Sequence, residues 1–182
     1  MKEESNPIKE YLFNYIKKSE KRLQQLFSET KMAEIINDIL DNCYDKVALM
    51  ENKEENLRVL STGILHYMLT NAMLTSQRKV EYKGVEIDIV IPDLKTLEKD
   101  PKKTLIICIP RTLDKNTIKE KLKQLQTIQP EKQNIWLVLT QDIGFAKTFV
   151  IQKEKSSFSN IIYDIAQFVN IQGHDKFKIL RV

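Results

Sequence analysis

Two short runs without a single polar residue constrain this chain most: Leu105-Ile106-Ile107-Cys108-Ile109 and Ile135-Trp136-Leu137-Val138-Leu139. Neither shows the apolar–polar alternation of a half-exposed strand, so each reads as a strand buried on both faces. Between them Ile118, Leu122 and Leu125 recur at helical spacing, with Lys115, Lys119, Lys121 and Lys123 assigned to the outer side. Strand, helix and strand in about that length make a parallel pair joined by a right-handed crossover.

Before this unit the period is two. Val80 and Tyr82 alternate with Glu81 and Lys83, and Lys83-Gly84 supplies a two-residue hairpin turn. The returning strand, Val85 to Ile91, places Val85, Ile87, Ile89 and Ile91 on one face and Glu86 and Asp88 on the other. Pro92-Asp93 ends it as a turn. Leu94 to Lys103 is expected to be a charged loop, with Asp100-Pro101 opposing helix.

Upstream the pattern is helical throughout. Residues 8–27 read as one amphipathic helix (Ile8, Leu12, Ile16, Leu23, Phe27), and Ser28-Glu29-Thr30 breaks it and offers a cap for the next. That second helix carries Met32, Ile35, Ile36, Ile39, Leu40, Cys43 and Val47 on one side. A polar turn from Glu51 to Asn56 precedes a third, with Leu57, Leu60, Ile64, Leu65, Met68, Ala72 and Met73 inward. After the second apolar strand, Gln141 to Gly144 turns the chain and Thr148 to Ile151 forms an edge strand. Ser159 or Asn160 caps a last helix built on Ile161, Ile162, Ile165, Ala166, Phe168 and Val169.

The order helix, strand, strand, strand, helix, strand resembles the core of the PD-(D/E)XK nuclease superfamily, the restriction-endonuclease-like fold. The local match is Gly84-Val85-Glu86-Ile87-Asp88-Ile89-Val90-Ile91, and the resemblance covers roughly residues 30–170. It implies a three-layer α/β/α domain with a mixed central sheet: one domain over 1–182, with a helical extension at 1–29 and a nuclease-like core at 30–182. The family's chemistry uses two carboxylates to hold a divalent metal and a lysine to activate water. The resemblance gives Asp88 the role of the first carboxylate and metal ligand, with Glu86 beside it. The family's (Glu/Asp)-x-Lys is replaced by Cys108-Ile109-Pro110, and Thr104 to Pro110 holds no Asp, Glu or Lys. Substitutes would have to come from helices: Glu34, Glu51, Glu54 or Glu55 for the carboxylate, Lys119 or Lys123 for the ammonium.

Charge agrees with a phosphate-facing C-terminal part. Residues 1–75 carry 10 Lys and Arg against 12 Asp and Glu; residues 76–182 carry 19 against 13. Arg111, Lys119 and Lys123, at or after the end of the first apolar strand, are the expected nucleic-acid contacts. Cys43 and Cys108 are expected to be buried free thiols, and His66 and His174 are too scattered for a zinc site. The apolar runs are too short to span a bilayer, and Met1-Lys2-Glu3-Glu4 opens no signal-peptide pattern, giving a cytoplasmic expectation.

Three functions follow from these readings. The leading one is a catalytically inactive nuclease-like domain that binds DNA or RNA, or serves as a scaffold in a nucleic-acid machine, with no cofactor. The second is an active Mg²⁺-dependent nuclease with a migrated site. The third is a protein-interaction or homodimerisation module resting on the N-terminal helices.

Overall fold

A computed structural model describes residues 6–154 and 156–172. His174 and the first five residues of the expected extension lie outside them.

Helices α1 (Pro7–Lys18) and α2 (Glu20–Ser28) replace the expected single helix, because the chain breaks at Ser19. Asn6 caps α1 by accepting from the N–H groups of Ile8 and Lys9. Thr30 does not cap the next helix. It takes a left-handed φ of 57°, and Lys31 and Thr30 donate back to the carbonyls of Leu26 and Phe27, closing α2 in a Schellman pattern. Helices α3 (Met32–Ala48) and α4 (Lys53–Asn71) follow, so α4 begins inside the expected Glu51–Asn56 turn. Met73 is not inward: it lies past the end of α4 with a positive φ and is 66% exposed.

Strands β1 (Gln77–Tyr82) and β2 (Val85–Ile91) form the hairpin. Both turn residues, Lys83 and Gly84, have positive φ (50° and 75°), as a type I′ turn requires. The stretch expected as a loop instead holds helix α5 (Leu94–Lys99), capped by Asp93, whose carboxylate accepts from the Thr96 N–H at 2.7 Å. A 3-10 turn at Pro101–Lys103 leads into β3 (Leu105–Cys108). Helix α6 (Lys115–Ile128), capped by Asp114, crosses to β4 (Ile135–Leu139). The edge strand β5 (Thr148–Val150) and helix α7 (Ile161–Ile171) complete the chain. Neither Ser159 nor Asn160 caps α7 with its side chain. A 3-10 turn precedes the helix there, and the Ser159 hydroxyl reaches Asn37 on α3.

The sheet order is β1-β2-β3-β4-β5, with the first two pairings antiparallel and the last two parallel. The two apolar runs are therefore adjacent, parallel and buried as expected. One face is covered by α1–α4 and α7 over a large cluster that includes Ile36, Ile39, Leu60, Ile64, Ile107 and Ile165. The other is covered by α5 and α6 over a smaller cluster that includes Leu97, Ile106, Ile118, Leu125 and Leu137. Trp136 belongs to the large cluster, stacks near Phe149 and Phe168, and donates its indole N–H to the Gln133 carbonyl at 3.0 Å. Among the described residues no helix is long and apolar enough to cross a membrane.

One departure from strand periodicity matters for function. Strict alternation puts Ile87 and Ile89 on the same face, yet Ile87 lies in the small cluster and Ile89 in the large one. Strand β2 changes face at Asp88. Opposite it, between the Arg78–Ile89 and Val80–Ile87 pairs, Lys79 takes a left-handed φ of 49°. A local irregularity of this kind re-aims side chains at a strand rim.

Candidate functional site

Asp88 stands at this exchange, beside the C-terminal end of β3. Its Oδ2 accepts a hydrogen bond from the Ile109 N–H at 2.7 Å, which ties the end of β3 to β2. Burial raises its pKa above the usual carboxylate range, against the lowering effects of the Ile109 N–H and the charges of Lys121, Arg58 and Arg111. Three cations from three different elements thus act on one carboxylate.

Each arrives for a local reason. Arg58 lies in the second turn of α4, with its Nε and Nη2 both held at 2.7 Å by the two carboxylate oxygens of Glu55. Arg111 lies three residues past the end of β3 and is exposed; its charge also acts on Glu55. Lys121 comes from α6, where its Nζ donates to the Glu86 carbonyl at 2.6 Å. A small pocket past the ends of β3 and β4 is lined by Glu54, Arg58, Ser61, Arg111, Thr112 and Thr140, among others.

The expected site residues are distributed unevenly. Arg111 lines the pocket, whereas Asp88 lies outside its lining, bonded to Ile109 next to the lining residue Pro110. Glu86 has an exposed side chain and contributes its backbone carbonyl to the Lys121 contact. Lys119 and Lys123 are exposed on α6, whereas Lys121, assigned to the outer side, is half-buried and faces β2. The helical wheel explains this: Lys121 falls about 60° from Ile118, on the flank of the Ile118–Leu122–Leu125 stripe, while Lys119 and Lys123 fall about 100° and 140° away on the other side. Position relative to that stripe, rather than charge alone, was the available signal. Of the four helical carboxylates, Glu54 lines the pocket, and Glu55 is bound to the lining residue Arg58. Glu34 lies on α3 near Lys31, at 3.8 Å, and Glu51 lies in the turn before α4.

The donor set does not fit a hard divalent ion. Glu55 spends both oxygens on Arg58, and one Asp88 oxygen is engaged by Ile109. Cys108 is a soft, buried thiol whose pKa is raised by burial and by Asp88. Among the described residues no group of three or more His, Cys, Asp or Glu could hold a metal. The other thiol, Cys43, is buried in the large cluster, where desolvation pushes its pKa up to about 12.

The backbone geometry matches a solved structure: the restriction endonuclease PspGI, in a complex with substrate DNA. The TM-score is 0.60 over 91% of this chain and 94% of that one, at 14% sequence identity. The fold is restriction-endonuclease-like. No family model matches the sequence, and no curated protein does.

Proposed function

We propose that this protein is a nuclease-like domain that binds nucleic-acid phosphates in the cleft past the ends of β3 and β4, lined by Arg58 and Arg111, without cleaving them. The observation that supports this most is the pocket lined by Arg58 and Arg111, with Lys121 held on the Glu86 carbonyl near Asp88 in β2. Guanidinium and ammonium groups there neutralise phosphate, while Asp88 acts as a latch that fixes the end of β3. The PspGI complex, a protein of the same fold, contains substrate DNA, which favours DNA as the first ligand to test.

Binding of this kind is electrostatic and sequence-tolerant, and it weakens steeply with salt. The test compares two sets of substitutions by fluorescence anisotropy with a labelled mixed-sequence DNA duplex across a salt series. Changing Arg58, Arg111 and Lys121 together to Gln is expected to weaken binding and to lower the log–log salt slope by about one unit per lost phosphate contact. Changing Lys119 and Lys123 to Gln, on the exposed side of α6, is expected to do less. Equal losses in both sets would move the ligand out of the cleft onto the α6 surface. Absence of binding at low salt would favour a protein-interaction module instead.

A further inference from the structure

The Arg58–Glu55 contact has the geometry that a bound phosphate would need. A planar guanidinium fork donates to two oxygens of one anion in parallel, and a carboxylate and a phosphate satisfy it in the same way. Both Glu55 oxygens already fill the fork, at 2.7 Å each. The Arg58 side chain is 18% exposed and that of Glu55 is 46% exposed, so the carboxylate forms the more solvent-facing half of the pair. Glu55 also feels the charge of Arg111, which lines the same pocket as Arg58.

We infer that Glu55 gates the cleft: its carboxylate stands in for phosphate on Arg58, and a ligand must displace it to use that cation. This rests on the phosphate-binding reading of the cleft. With Glu55 in place, only Arg111 and Lys121 meet an incoming chain at once, and Arg58 joins when phosphate outcompetes the carboxylate. A ligand with densely spaced phosphates can do this; an isolated monoanion cannot. Glu55 is therefore a specificity-determining residue that holds back weakly charged ligands.

The Glu55 side chain is the exposed half of the pair, so water can solvate its carboxylate as it leaves Arg58. Glu55 sits in the first turn of α4, where a swing of its side chain leaves the helix intact.

The test uses the whole chain and the same labelled duplex. Glu55→Gln is expected to tighten duplex binding about three- to fivefold, because phosphate no longer has to displace a carboxylate from Arg58. Adding Arg58→Gln to that variant should cancel the gain. Glu54→Gln controls for charge alone, because Glu54 lines the same pocket without filling the Arg58 fork. An equal gain from Glu54→Gln, or a gain that survives loss of Arg58, would overturn the gate. If the wild type binds and Glu55→Gln binds no more tightly, the gate fails and the cleft reading stands. If no variant binds, the cleft reading fails and the gate with it. Binding by Glu55→Gln alone would support both.

Discussion

The two faces of the sheet differ in thickness, charge and tolerance. On one side five helices, α1–α4 and α7, bury a large cluster and carry much of the chain's acidic N-terminal part. On the other, α5 and α6 cover a smaller cluster and carry lysines at 95, 99, 115, 119, 121 and 123. The candidate site belongs to neither face alone. Arg58 and Glu55 come from the thick layer, Lys121 comes from the thin one, and Asp88 sits where β2 crosses between the two cores. A break in strand alternation gives one carboxylate access to cations of both layers.

The sharpest test of this difference is packing. Ile39→Ala, in the thick layer, is expected to cost about 3–5 kcal/mol, because fully buried side chains surround the cavity and limit its collapse. Leu125→Ala, equally buried but in a small cluster edged by partly exposed Leu122 and Leu113, is expected to cost about 2–3 kcal/mol. Urea denaturation measures both. Equal losses would remove the distinction between the layers.

A smaller effect is expected at the crossing. Asp88→Ala strands the Ile109 N–H and should cost about 1–3 kcal/mol, whereas Asp88→Asn keeps an acceptor and should stay within about 1 kcal/mol of wild type. The pH dependence separates the charge from the bond. Burial raises the folded pKa of Asp88, so the folded state binds its proton more tightly than the unfolded chain does. That contribution is fully present below the ordinary aspartate range and is lost as pH rises through the raised value. Asp88→Asn should flatten this part of the stability profile, and an unchanged profile would assign the dependence to other groups.

The smallest effect concerns the thin layer. Asp93→Ala removes the α5 cap and should cost about 0.5–2 kcal/mol, with duplex affinity unchanged, because α5 supplies no cleft residue. A loss of affinity would extend the site across that layer.

Much of this architecture was legible in the sequence because buried strands and helix stripes are written as periodicity. Leu105–Ile109, Ile135–Leu139, the Lys83-Gly84 turn and the seven core positions of α3 all follow that code. Three features escaped it for local reasons. The break at Ser19 leaves the apolar period nearly intact, α5 depends on an aspartate cap after a proline, and Thr30 closes α2 in a conformation usually given to glycine. At the site, Asp88 and Arg111 could be read from strand order. Glu55 was one of four helical carboxylates that the sequence left unseparated and Arg58 was not singled out, since nothing in α4 alone shows which of its exposed turns meets the sheet. Lys121 was hidden among neighbouring lysines of the same charge.

The central claim is binding without cleavage, and one measurement addresses it directly. Purified wild-type protein and Asp88→Ala are incubated with Mg²⁺ or Mn²⁺ and plasmid, single-stranded DNA or RNA, at concentrations where the wild type is bound. The account predicts no cleavage by the wild type above the Asp88→Ala control. Metal-dependent cutting that disappears in Asp88→Ala would contradict it and make the cleft an active nuclease site.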